Sequence, residues 1–322
     1  MTNDGKNSKN LEARKSKAFA ATCGINSIAG TNILRKIETK ILLELHEKII
    51  LSALLTNAEA WTLGKGEKDE IERVEVQTLK MLFDLPTHTP TPAIIHSFGT
   101  LYTSLRIEKK RIMYLHRLLK KHDSSWPKKT LFILDQLNIG WAKSIKEALN
   151  ALDLPTSFST IQASTRRQWK RIVECKIEIK NQERLLNECH KKENDAIIRK
   201  TKTAHIVDKI KGTTYVREPI PELLLCNKHE TKTLIIARFG MLECGKNFKG
   251  TMNEICNVCK VTDNENHRLN DCPSHKKVNL FNTENGVDFS DVFSADVNVL
   301  RPIIKEIEKV WNVRNAHGSM NK

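Results

Sequence analysis

Cys256, Cys259, His267 and Cys272 fall in a C-x2-C-x7-H-x4-C spacing. Two thiolates two residues apart close a tight knuckle. An imidazole and a third thiolate returning from the next turn complete a tetrahedral shell of three sulfurs and one nitrogen, the ligand chemistry of structural zinc. Four protein ligands leave no position for water, so the expected ion (Zn) holds the chain together rather than activating a nucleophile. The polar run 260–266 suits a turn around the ion, and Pro273 follows the last thiol. His275 is a second candidate for the nitrogen ligand, with His267 preferred. The competing reading is a set of ordinary thiols near a surface histidine.

The other chemistry suggested by residue type is phosphate binding. A helical stretch from residue 103 carries Arg106, Lys109, Lys110, Arg111, Arg117, Lys120 and Lys121, with only Glu108 opposing them on that stretch. Lys246, Lys249 and Lys260 flank the knuckle. The whole chain holds 53 lysines and arginines against 38 acidic residues, a formal charge of +15, which favours RNA or DNA as partner through counterion release. Basicity for solubility alone is the plainer reading of the charge. Between residues 166 and 184, Arg166, Arg167, Lys170, Arg171, Lys176, Lys180 and Arg184 alternate with Glu174, Glu178 and Glu183, so that face reads as solvated and paired along its own helix. Trp126, Trp141 and Trp169 could stack on bases, although a tryptophan at an apolar helical position is more often core.

Motifs for catalysis are missing from the sequence. It contains no Gly-rich phosphate loop, serine elbow, H-E-x-x-H pair or adjacent aspartates. Cys23, Cys175, Cys189, Cys226 and Cys244 stand without paired spacing or an activating context. The expectation is a chain without catalysis and without a small-molecule substrate. A polar N-terminus and an apolar run broken by Glu44, His46, Glu47 and Lys48 predict no membrane span and an intracellular protein, in nucleus or cytoplasm.

The elements that must carry these residues are helical throughout, so the predicted fold class is mainly α. Residues 1–17 show no periodicity and are expected to be disordered. Ile33, Ile37, Ile41, Leu45, Ile49 and Ala53 recur every four positions and predict one long amphipathic helix buried on that line. Ile71, Val74, Thr78, Leu82 and Leu85 trace a second helix ending before Pro86. A threonine cap at Thr89 with proline next predicts a brief helix ending at Gly99. Leu105, Ile112, Leu115, Leu118 and Leu119 give the apolar line of the basic helix. The break at residues 124–127 predicts a boundary, giving domains 18–123 and 124–221, the second dominated by one helix over 159–190. Pro219 and Pro221 predict a linker, 222–285 the zinc-knuckle module with a helix over 231–242, and 286–322 a tail. Arg301 and Pro302 open its amphipathic helix, with Ile303, Ile304, Ile307, Val310 and Trp311 on the apolar face.

Three stretches carry a family resemblance. KIILSALLTNAEAWTLGKGEKDEIERVEVQTLKMLFDLP at 48–86 contains a Glu-x-Trp-Thr-Leu phrase between two helices. TPTPAIIHSFGTLYTSLRIEKKRIMYLHRLL at 89–119 continues with a proline pair and a basic helix. TKTLIIARFGMLECGKNFK at 231–249 leads into CNVCKVTDNENHRLNDCP at 256–273. In this order they resemble the C-terminal part of a non-LTR (LINE-type) retrotransposon reverse transcriptase, after its catalytic palm. The resemblance implies a thumb-like helical region at 18–123, a helical linker and a CCHC zinc knuckle, handling RNA template or target DNA. Cys256, Cys259, His267 and Cys272 would be the metal ligands. The fingers, the palm with its paired aspartates and an endonuclease domain are not recognisable here, so polymerisation does not carry over; a palm domain supplied in trans is a possible partner. The alternative class is a non-catalytic helical scaffold with a structural zinc.

Overall fold

Helix α6 (Thr103–Leu119) shows how the sequence becomes structure, because its apolar line is as spaced for burial as a helix of 3.6 residues per turn allows. Leu105, Ile107, Ile112, Leu115, Leu118 and Leu119 are all buried along it. The structure is a computed structural model and describes residues 8–28, 36–194, 219–239, 241, 255–256, 259–262, 267 and 294–318. Among these the chain is mainly helical, with two isolated β-bridges and no strand. No helix among them is long and apolar enough to cross a membrane. The chain divides into two units that are discontinuous in sequence. The first takes residues 1–25, 45–78 and 100–187, and the second 26–44, 79–99 and 188–322.

The chain opens with α1 (Ser8–Ile28), then α2 (Thr39–Leu45), a π-helical turn (His46–Ile50), α3 (Leu51–Leu54) and a 3-10 turn (Ala58–Ala60). Two expectations are corrected here. Helix α1 starts at Ser8, inside the segment expected to be disordered through Lys17. Its buried side chains are Leu11, Ala18 and Thr22, too few and too small to print an amphipathic period, while Lys15 holds Glu70 at 2.5 Å and Arg14 lies 5.1 Å from the Trp61 ring centre. The second correction concerns the long helix expected from residue 32. The line Ile37, Ile41, Leu45, Ile49 and Ala53 is not the buried one, since Ile41 and Ile49 are 48 % and 44 % exposed. Leu42, His46, Ile50, Leu51 and Leu54 are buried instead. Residues four apart drift around a 3.6-residue helix, so the buried line runs through Thr39, Leu42 and His46 and continues at Ile50 across the π-helical turn.

In the first unit α4 (Lys65–Leu82) buries Ile71, Val74 and Thr78 as expected. After α6 come α7 (Trp126–Gln136), α8 (Gly140–Ala151), α9 (Phe158–Ala163) and α10 (Arg166–Asn194). The single helix expected over 159–190 is therefore two. Ser164 is extended, and Thr165 caps the next helix: its hydroxyl accepts from the Gln168 amide at 3.3 Å while the Gln168 side chain accepts from the Thr165 amide at 3.1 Å. This is a Thr-x-x-Gln capping box, which starts a helix by satisfying two of its orphan donors.

Helix α10 runs antiparallel to α6. The Tyr102 amide donates to Asn181 Oδ1 at 3.2 Å, Lys109 meets Glu174 at 2.8 Å, Trp169 Nε1 reaches the Ile112 carbonyl at 3.5 Å, and His116 Nε2 lies 3.2 Å from the Ser164 carbonyl. The C-terminal end of α6 and the start of α10 thus share one end of the unit.

The second unit gathers Leu79 to Gly99, α5 (Thr91–Ser97), α11 (Pro221–Leu224), α12 (Lys228–Arg238) and α13 (Val297–Gly318). Helix α5 has Pro90 as its N-cap. The Thr89 hydroxyl bonds the Pro86 carbonyl at 2.7 Å instead of capping, which corrects the threonine cap, and Gly99 adopts the positive φ of 56° that ends such a helix. Phe83 stacks on Phe98 with ring centres 4.5 Å apart. Residues Pro219 to Cys226 are not a loose linker, since the Ile220 amide donates to Ser97 and the Thr39 amide to Cys226. An Asn227/Glu230 capping box sets α12 three residues earlier than expected. Asp296, whose carboxylate accepts from the Asn298 amide, starts α13 at Val297 and leaves Pro302 inside the helix. Ile303, Ile304 and Ile307 are buried as expected, while the side chains of Val310 and Trp311 lie outside the described residues.

Candidate metal centre and basic surface

The knuckle is a short hairpin. Ile255 and Thr262 form an antiparallel bridge, the Cys256 amide donates to the Val261 carbonyl at 2.8 Å, and the Lys260 amide donates to the Cys256 carbonyl at 2.9 Å. Lys260 takes a positive φ of 59°, which turns the chain back immediately after the second cysteine. The ligand atoms of Cys256, Cys259 and His267 converge within 4.8 Å of one another, and Cys259 Sγ lies 2.9 Å from His267 Nε2. His267 is buried, and both cysteines are half-buried. Two sulfurs and an imidazole nitrogen fit zinc, a borderline-soft ion bound by such donors. Cys272 and His275, like Lys246 and Lys249, lie outside the described residues; Lys260 is exposed beside the hairpin.

Much of the basic face of α6 is held by partners on the helix itself and on neighbouring elements. Arg111 is buried, pairs with Glu108 at 2.7 Å and donates to Ser144 Oγ at 2.8 Å; Glu108 also holds Lys68 at 2.6 Å. Arg106 lies 3.6 Å from both Glu75 and Glu47, Lys109 holds Glu174, and the exposed Lys110 donates to the Leu55 carbonyl at 3.2 Å. Arg117 is exposed with Glu59 at 4.0 Å. Of the seven, Lys110, Lys120 and Lys121 are exposed with no ion pair among the described residues, and of these Lys110 is tied to the Leu55 carbonyl. Counting charges along one helix missed Glu47, Glu59, Glu75 and Glu174, which arrive by tertiary packing.

On α10 the balance is the reverse. Arg166, Arg167 and Arg171 are exposed without an ion pair among the described residues, and Lys170 has Glu174 at 3.9 Å. The self-pairing expected for this face occurs further along, at Lys180 with Glu183, while Arg184 binds Glu72 on α4 at 2.6 Å. A signal was present in the sequence: no acidic residue occurs from 154 to 173. Arg166 and Arg167 lie near the end of α6 that leads to Lys120 and Lys121, and Lys170 and Arg171 follow alongside its middle.

Titratable groups also gather inside the first unit. The Thr103 hydroxyl donates to Glu75, and His46 Nε2 donates to the Thr78 hydroxyl at 3.2 Å, whose own proton goes to the Glu75 carbonyl. Burial pushes the Glu75 carboxyl up to about 7, helped by Glu72 and Glu47 and opposed by Arg106; burial, then Arg106, pulls His46 down to about 3. Glu75, raised from an ordinary 4.5, contributes stability that is fully present below pH 4.5 and lost as pH rises through 7. His46, lowered from 6.5, contributes stability present above pH 6.5 and lost as pH falls toward 3. Glu75→Gln removes the first dependence. Thermal melts are expected to show it more stable than wild type at pH 8, by up to about 3 kcal/mol, with the gain gone at about pH 4. An equal difference at both pH values would contradict the buried, proton-binding Glu75. Burial likewise raises the Cys226 thiol to about 11, which leaves no thiolate near neutral pH.

The fold and site define a mainly α-helical chain with a Cys-Cys-His cluster capable of holding a metal. Comparison with protein-family models, with curated proteins and with solved structures finds no match.

Proposed function

We propose that the chain binds nucleic acid through its phosphates and carries a structural zinc ion, as the C-terminal part of a non-LTR retrotransposon reverse transcriptase without its catalytic palm. The observation that carries the reading is the basic end of the first unit, where Lys120, Lys121, Arg166, Arg167 and Arg171 are exposed without ion pairs among the described residues and the nearby exposed Asp123 is held by Lys128. Arg166 and Arg167 occupy the first turn of α10, which has no acidic residue there, so their charge adds to the positive end of the helix dipole. An anion placed there is stabilised by both. Phosphate contacts carry no base information, so the binding is sequence-tolerant.

In this reading Cys256, Cys259 and His267 hold the zinc together with Cys272, and the ion staples a hairpin too short to bury a core. The Glu-x-Trp-Thr-Leu phrase, the basic helix and the knuckle, in that order, support the family assignment. A second reading, a helical scaffold with a structural zinc, is favoured by the ion pairing of Arg106, Lys109 and Arg111, which makes most of α6 a structural element. The test is Lys120→Glu, Lys121→Glu, Arg166→Glu and Arg167→Glu combined in the full chain. Binding to a single-stranded RNA is expected to weaken at least tenfold for every sequence, and the salt slope to flatten by about 0.7 for each phosphate the variant no longer neutralises. Unchanged affinity at low salt would leave the scaffold reading.

A further inference from the structure

The tryptophans of the first unit have separate fates. Trp61 is 8 % and Trp169 1 % exposed, and Trp141 is half-buried with its Nε1 donating to the Glu59 carbonyl at 3.0 Å. Trp126 is 80 % exposed. It opens α7 between the N-cap Ser125 and Pro127, and the ring is too exposed to be held in a core. The core role that usually explains a tryptophan is therefore absent for this one.

Its surroundings are cationic. Lys129 Nζ lies 5.8 Å from the indole centre. The turn before Trp126 is anchored by the buried Lys128, whose ammonium donates to the Lys121 carbonyl at 3.1 Å and holds Asp123 at 2.6 Å. That anchor keeps the end of α6, with the exposed Lys120 and Lys121, next to the start of α7. A flat exposed ring with lysines before and after it along the chain is the combination that binds unpaired nucleotides: the ring stacks on a base, and the cations take the phosphates on either side.

We propose that Trp126 is a stacking platform for an unpaired base of single-stranded nucleic acid, with Lys120, Lys121 and Lys129 on the flanking phosphates. The proposal rests on the phosphate-binding reading above and adds strandedness to it. In a duplex the bases stack on one another and offer the indole no internal face, so the ring discriminates for single strands while the lysines do not.

The test compares the full chain with its Trp126→Ala and Trp126→Phe variants, measuring affinity at one salt concentration for a single-stranded 20-nucleotide oligomer and for a blunt duplex of the same sequence. The side chain is exposed, so both variants are expected to fold, which circular dichroism checks. Trp126→Ala is expected to weaken single-strand binding by about 5- to 150-fold, Trp126→Phe to retain most of it, and duplex binding to change less than about twofold. Equal loss on both substrates, or no loss on either, with salt-dependent wild-type binding intact, overturns the stacking role and leaves the basic surface standing. Wild type that binds neither substrate overturns both. Ile133 and Leu137 are also exposed on this stretch, at 55 % and 61 %, so a protein contact is the competing use of the face. If Trp126→Ala dissociates a self-associated species in sedimentation while leaving affinity unchanged, the indole is a protein contact and the proposal is wrong.

Discussion

Arg111→Ala is expected to destabilise the first unit by about 3 kcal/mol or more, the cost of stranding one partner of a buried ion pair. The guanidinium is 1 % exposed, gives NH1 to Glu108 at 2.7 Å and NH2 to Ser144 at 2.8 Å, and sits 6.0 Å from the Trp141 ring centre. Truncation leaves a carboxylate oxygen and a hydroxyl without their donor and opens a void between α6 and α8. Lys68 still holds the other oxygen of Glu108, which places the cost toward the lower end of the range for buried pairs. Removing both charges with Glu108→Met and Arg111→Met is expected to be milder than the single truncation, because buried pairs replaced by apolar groups of similar volume cost little. Denaturant melts measure both. The folded double variant is expected to bind RNA within about twofold of wild type, since Arg111 faces the interior. A stable Arg111→Ala that loses tenfold in RNA affinity would put this side chain on the surface and contradict the packing of α6.

The larger effect is expected at the knuckle. Structural zinc in comparable small modules contributes about 10–16 kcal/mol of apparent binding free energy at neutral pH, and that binding is the folding energy of the module. Cys256→Ser with Cys259→Ser removes both half-buried thiolates of the hairpin and is expected to abolish stoichiometric zinc. Helical content should be retained, because the helices rest on their own buried cores. Metal analysis and circular dichroism on the same sample check both halves. Retention of one zinc per chain would show the ion to be held elsewhere. Cys272→Ser should also release zinc if the spacing reading is right, and His267→Ala compared with His275→Ala decides the nitrogen ligand. Acidification is expected to release the ion, since protons compete for thiolate and imidazole alike.

The parts of the fold legible in the sequence are those where local apolar spacing and tertiary burial agree. Helix α6, the Ile71 to Leu82 line of α4 and the Ile303 to Ile307 turn of α13 are such cases. The helix expected from residue 32 departs from its apolar spacing because its buried face holds polar residues: Thr39 bonds Thr231 at 2.6 Å and His46 bonds Thr78, and neither partner is visible from spacing. Helix α1 buries too few apolar side chains to announce itself. The break between α9 and α10 was legible in principle, through the Thr165 and Gln168 capping box, but the long basic run hid it. In the candidate site the hairpin cysteines and His267 converge as their spacing suggests. The basic surface did not follow from charge counting, because ion pairs within and between elements hold Arg106, Lys109, Arg111 and Arg117 and leave α10 open at its start. An acid-free interval in sequence was a better guide than a high density of cations.

The central claim is that this chain grips a polyanion through its exposed basic end. The most direct measurement is the affinity of the wild-type protein for a single-stranded 20-nucleotide RNA between 50 and 200 mM salt. If about four or five phosphates are contacted, log affinity should fall linearly with log salt with a slope of about −3, whatever the RNA sequence. Affinity that does not change with salt, or no binding at the lowest salt, would contradict the account and leave a zinc-stapled helical scaffold.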